Sequence, residues 1–81
     1  MSVRSDILEQ FKQVAREQDK RLGPLSDESP LLDLGLDSLC FAILVIRLES
    51  VLGVDPFSAN EGARFPENLG DFIRFYENAV Q

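Results

Sequence analysis

Residues 37–53, DSLCFAILVIRLESVLG, decide the architecture of this chain. Eight consecutive apolar side chains, Leu39 to Ile46, suit a buried strand as well as a helix, and their periodicity does not separate the two. Length and end signals do. The apolar pattern runs on through Leu48, Val51 and Leu52, too far for an ordinary strand. Asp37 stands where a helix N-cap belongs, and Gly53 stands at the C-terminal stop. The reading is a helix from Ser38 to Leu52. Its expected core face is Phe41, Leu44, Val45, Leu48 and Leu52, which leaves Cys40, Ile43, Arg47 and Ser50 on an outer stripe with Ile46 and Glu49 beside it.

Upstream, Ile7, Leu8, Phe11, Val14, Ala15 and Leu22 fall on one helical stripe, predicting an amphipathic helix over 6–22 with Ser5 as N-cap and Gly23-Pro24 as the stop. Residues 23–36 form a long connection carrying Leu25, Leu31, Leu32, Leu34 and Leu36. A loop of that length in a compact domain needs its leucines packed on the core, with Leu34 and Leu36 as its expected anchors. Downstream, 58–62 reads as a short helical turn limited by Gly62 and Pro66. Asn68 then caps a last helix with Asp71 in its first turn and Leu69, Phe72, Ile73, Tyr76 and Val80 on its apolar face. The expected fold class is all-α, a single domain over 1–81 made of three main helices and one short one.

At 81 residues and 9.1 kDa the chain buries roughly 60% of its unfolded surface, enough for one modest core but hardly for a deep catalytic cleft. Net charge is -6, unevenly spread. Residues 1–21 carry five basic and four acidic side chains, the remainder three basic and ten acidic. No basic stripe exists to displace phosphate counterions, which excludes nucleic acid as a partner. The acidic surface favours brief encounters with basic proteins. Cys40 is the single cysteine, so an internal disulfide and a thiolate zinc site are excluded and a reducing, cytoplasmic setting fits. The longest apolar run falls far short of the ~20 residues of a membrane span, and the start of the chain has no signal-peptide apolar segment. The chain is expected neither to insert in a membrane nor to be exported, and to be a monomer.

Histidine is absent, so a Ser-His-Asp centre on Ser38 is not available, and Gly35-Leu36-Asp37-Ser38-Leu39 does not match the Gly-x-Ser-x-Gly elbow. Asp33, Gly35 and Asp37 lack the spacing of a calcium loop, and no metal is expected. Ser38 is therefore not a nucleophile activated by its own chain, and an enzyme is not expected.

Asp33-Leu34-Gly35-Leu36-Asp37-Ser38-Leu39 resembles the phosphopantetheine attachment signature of acyl and peptidyl carrier proteins. The likeness extends along the chain: a first helix, a leucine-bearing loop, the signature, a helix closing with Leu48-Glu49 and Gly53-Val54, and a final helix opening at Asn68-Leu69-Gly70-Asp71. The resemblance implies that a separate phosphopantetheinyl transferase esterifies Ser38 with 4'-phosphopantetheine from coenzyme A, and that Asp37 helps to orient Ser38 for it. It implies further partners: an acyl- or aminoacyl-activating ligase that loads the arm, and transferases or synthases that use its thioester. A phosphodiester at the first turn of a helix is favoured by the free backbone N–H groups there.

In fatty-acid-synthesis carriers the outer face of the second helix is rich in acids, whereas the stripe here keeps only Glu49. Apolar surface on a small domain marks a binding site. Asp37, Leu39, Cys40, Ile43, Ile46 and Arg47 are accordingly the expected partner-recognition residues, in a carrier dedicated to polyketide, nonribosomal peptide or glycan and lipid tailoring chemistry. For Asp37 capping and recognition are compatible, and for Leu39 core packing competes with partner contact. The alternative function is an unmodified helical adaptor that binds a partner through the apolar face of residues 39–46.

Overall fold

The computed structural model describes residues 2–59 and 65–80, without the side chains of 58 and 59. In chain order it comprises α1 (Val3–Glu17), a 3₁₀ turn (Leu31–Asp33), α2 (Ser38–Leu52), the short α3 (Pro56–Ala59) and α4 (Leu69–Val80). Three main helices and one short one make an all-α bundle, as the periodicity predicts. The expected turn over 58–62 has its counterpart in α3, which starts two residues earlier because Pro56 suits a first helical position and the Asp55 carboxylate accepts the Phe57 N–H at 3.1 Å; residues 60–62 lie outside the described residues.

The first helix sits earlier than its sequence pattern predicts. Ser2, not Ser5, is the N-cap: its backbone is extended and its hydroxyl accepts the Ser5 N–H at 3.0 Å. The helix also stops at Glu17, five residues before Leu22. Asp19 turns left-handed at φ 56, and the chain closes a Schellman arrangement in which the Lys20 N–H reaches the Ala15 carbonyl at 2.7 Å and the Asp19 N–H the Arg16 carbonyl at 3.3 Å. Leu22 still packs on the core, but from the loop, which is why it fits the helical stripe without belonging to the helix.

Ile7, Phe11, Val14 and Ala15 from α1 meet Leu44 and Leu48 from α2 and Leu69, Phe72, Ile73 and Tyr76 from α4. Phe11 lies at the centre, its ring edge-on to Phe41 at 6.1 Å and to Phe72 at 5.6 Å. Such pairs add about 0.5–1.5 kcal/mol each beyond their buried area.

The long loop is held at both ends of its course. The Gly23 N–H donates to the Leu34 carbonyl at 3.0 Å, crossing the loop at its neck. On the far side the Leu31 N–H donates to Glu67, while Leu69 and Gly70 donate to Ser29 and Asp27, each at 3.0 Å. Arg4 grips the Asp27 carboxylate with two nitrogens at 2.8 and 3.0 Å. Leu31, Leu34 and Leu36 are buried as the loop's anchors, but Leu32 is 90% exposed. Adjacent residues of a tight turn cannot both point inward, so Leu31 fills the core and Leu32 is left outside.

Candidate functional site

Ser38 is the first residue of α2 and is exposed. Asp37 before it has extended backbone, and its Oδ1 accepts the Cys40 N–H at 2.9 Å, so the helix begins where the cap signal places it. The second carboxylate oxygen of Asp37 receives the Lys20 ammonium at 3.3 Å. The Cys40 backbone N–H, then the Cys40 thiol and Lys20, hold the Asp37 carboxyl down at about 2. A carboxylate that acidic and so engaged is a poor proton acceptor. The base that removes the Ser38 proton in any esterification must come from another protein.

The approach to Ser38 is shaped by Gly35, whose φ of 98 lies in the left-handed region and whose α-carbon passes so close to the Arg21 carbonyl that a β-carbon would sit 2.4 Å from its oxygen. This contact and the Gly23–Leu34 hydrogen bond set residues 20–23 alongside 34–37. The bundle thereby brings Lys20 to the site, a residue to which the sequence pattern assigned no role and which only the three-dimensional path of the loop reveals.

On its other side Ser38 borders an open groove of about 1270 Å³ between α2, the 3₁₀ turn and segments 55–57 and 65–67. Leu32, Phe41, Val45, Ile46, Phe57 and Phe65 give it an apolar lining, with Asp37, Asp55 and Glu67 among its polar neighbours.

The helical phase of α2 differs from the sequence expectation. Cys40 is buried at 1% exposure and joins Leu44 and Leu48 in the core, so it is not available as a partner contact. Val45, expected inside, is half-buried on the groove, and Ile43 is half-buried against the core rather than on an outer stripe. The turn that lifts Leu39 into solvent at 63% exposure carries Cys40, one residue on, into the bundle. Ile46 is exposed at 70%. Arg47 is drawn sideways by Glu17 of α1, which accepts both its terminal nitrogens, one of them at 2.9 Å. Leu32, not singled out from the sequence, joins Leu39, Ile46 and Phe65 among the large apolar side chains exposed around the site.

Residues 5–59, which include the serine at the start of α2 and the whole of the loop before it, match the family model described as "Phosphopantetheine attachment site". The chain belongs to the phosphopantetheine-attachment family. Carriers of this family are non-catalytic, bear a covalently attached 4'-phosphopantetheine, and interact with phosphopantetheinyl transferases and acyl-handling enzymes. No curated protein and no solved structure matches the chain. The residues present fit the family's prosthetic group: an exposed hydroxyl at Ser38 to esterify, a cation at Lys20 paired with the preceding residue, Asp37, and an apolar groove opening from the same place. When bound, the group supplies a thiol that holds cargo as a thioester. Among the described residues of this carrier no cluster of metal-ligating side chains occurs, and no helix is long and apolar enough to cross a membrane.

Proposed function

We propose that this carrier bears its arm on Ser38 and serves a dedicated biosynthetic pathway rather than general fatty-acid synthesis. In the attachment step the Ser38 oxygen forms a phosphoester with the pantetheine-side phosphorus of coenzyme A. The pyrophosphate bond breaks, the adenosine half leaves, and the serine proton passes to the transferase. Ser38 is the exposed hydroxyl at the start of α2 inside the family-matched segment, and that position supports the assignment. The engagement of Asp37 with Cys40 and Lys20 gives it the role of fixing the helix start and thereby the direction of Ser38.

The single observation that carries the dedicated-pathway reading is the apolar outer surface around Ser38. Leu32, Leu39 and Ile46 stand in solvent, Arg47 is neutralised by Glu17, and Glu49 alone contributes an acid on the exposed face of α2. An enzyme that docks through a basic patch finds little to grip on α2 itself, whereas one that offers an apolar seat buries three large side chains. Leu39 and Ile46 are thus partner contacts, with Ile43 and Arg47 at their edge. The pathway is of the polyketide, nonribosomal peptide or glycan and lipid tailoring kind, and the loading partner is an acyl- or aminoacyl-activating ligase acting in the cytoplasm.

Intact-mass spectrometry tests the attachment. Incubation with coenzyme A and a broad-specificity phosphopantetheinyl transferase adds one arm to the native chain and none to Ser38→Ala. An unchanged mass with several transferases overturns the carrier reading and leaves the adaptor that binds through residues 39–46. Equal use of the loaded chain by general fatty-acid elongation enzymes overturns the dedicated pathway while sparing the carrier.

A further inference from the structure

Lys20 is held by its backbone and by its side chain. The residue before it, Asp19, stands in the left-handed region at φ 56, a conformation costing roughly 1 kcal/mol in a residue other than glycine. Its own N–H is tied to Ala15 at 2.7 Å. The following carbonyl, that of Arg21, lies against the α-carbon of Gly35, and Gly23 is bonded to Leu34 at 3.0 Å. The backbone is therefore tied to the end of α1 at Lys20 and to the signature loop just after it, and the Lys20 ammonium ends 3.3 Å from Asp37. An ammonium has three donors, and the Asp37 contact engages one face of it. The next side chain along α2 is that of Ser38, whose α-carbon lies one step of about 3.8 Å from that of Asp37.

We propose that Lys20 is a positioning residue for the phosphate esterified on Ser38, bridging that phosphate to Asp37 and fixing the direction in which the arm leaves the protein. The proposal rests on the carrier reading above for its biological setting, but not for its test. In the unmodified chain the Asp37 carboxylate keeps the lysine in place. In the modified chain the same ammonium spans two adjacent anions, so the first bonds of the arm are held toward the α1 side of α2 instead of rotating freely.

The test places phosphoserine at position 38 of the full chain by genetic encoding, which needs no transferase, and follows the second ionisation of the phosphate by ³¹P NMR. That ionisation lies near pH ~6 when unperturbed. A lysine ammonium at contact distance across solvent lowers it by roughly 0.5 unit or more. The expected result is a lower midpoint in the native sequence than in Lys20→Gln, with Lys20→Arg retaining most of the difference and Lys12→Gln, which removes the same charge from within α1, retaining all of it. Equal midpoints in the native and Lys20→Gln proteins overturn the proposal. So does an equal loss in Lys12→Gln, which reveals only the general field of α1. A chain that takes no arm in the mass experiment yet shows the Lys20-dependent shift separates a failed carrier reading from a sound phosphate site.

Discussion

Gly35→Ala should cost far more than its added methyl suggests. The new β-carbon would sit 2.4 Å from the Arg21 carbonyl oxygen, so the backbone must part by roughly 1 Å to reach ordinary contact. An L residue in the left-handed region adds about 1–2 kcal/mol, loss of the Gly23–Leu34 hydrogen bond about 1 kcal/mol, and the forced separation about 1–3 kcal/mol. The expected loss is ~3–6 kcal/mol, a large part of the ~4–12 kcal/mol that a domain of this size commands. Gly53→Ala is the matched control. Its φ of 75 is also left-handed, but nothing lies within 4 Å of the added carbon, so only the conformational part remains, about 1–2 kcal/mol. Urea unfolding followed by far-ultraviolet circular dichroism reads both, at a slope of roughly 1 kcal/mol per molar for a chain this short. Because the displaced strand of backbone carries Lys20, the Asp37 carboxyl should also titrate above its native value of about 2. Equal losses in the two alanine variants would refute the clash and with it the close packing of residues 20–23 on the signature.

The Tyr76 ring is fully buried, its hydroxyl has no hydrogen-bond partner among the described residues, and burial pushes its ionisation well above 10.0. Tyr76→Phe should leave thermal stability unchanged or raise it by up to about 1 kcal/mol, and should remove a loss of native stability that sets in as pH rises through 10.0; destabilisation beyond 1 kcal/mol counts against it. At the acid end the sign is reversed. The Asp37 carboxyl is depressed from 3.8 to about 2 on folding, so its contribution is complete above pH 3.8 and disappears as pH falls through about 2. Asp37→Asn should flatten that part of an acid stability profile, and an unaltered profile contradicts the cap. Cys40 should resist alkylation by iodoacetamide in the native protein and react at the rate of global or local opening, whereas reaction at the speed of a free thiol would return it to the surface.

The start and stop of α2 were legible because each rests on one residue with a strong conformational preference, the Asp37 cap and the left-handed Gly53. The same holds for Asn68, whose side chain accepts the Asp71 N–H at 2.8 Å. The face that α2 turns inward was not legible. With eight apolar residues in succession almost any rotation buries hydrocarbon, and contacts with α1 and the loop decide that Cys40 enters and Val45 borders the groove. The limits of α1 were misplaced for a related reason. Ser2 and Ser5 are equally good caps, and an aspartate adopting the left-handed turn at Asp19 leaves no mark as plain as glycine. Ser38 and its neighbourhood emerged from motif and spacing, but Lys20 lies eighteen positions away in the chain and reaches the site only through the folded path of the loop.

The hydrogen bonds that residues 67–70 give and receive from 27–31 have a bearing on the order of events in synthesis. The signature is translated before them, and the family-matched segment closes at residue 59, yet the loop leading into Ser38 obtains its outer support from Glu67, Leu69 and Gly70. Phe72, Ile73 and Tyr76 then close the core beneath it. A nascent chain that has just exposed Asp37-Ser38-Leu39 beyond the ribosome therefore presents the letters of the signature without its shape. On the proposed attachment at Ser38, a chain broken off before α4 would offer a transferase the signature without the contacts that support its loop.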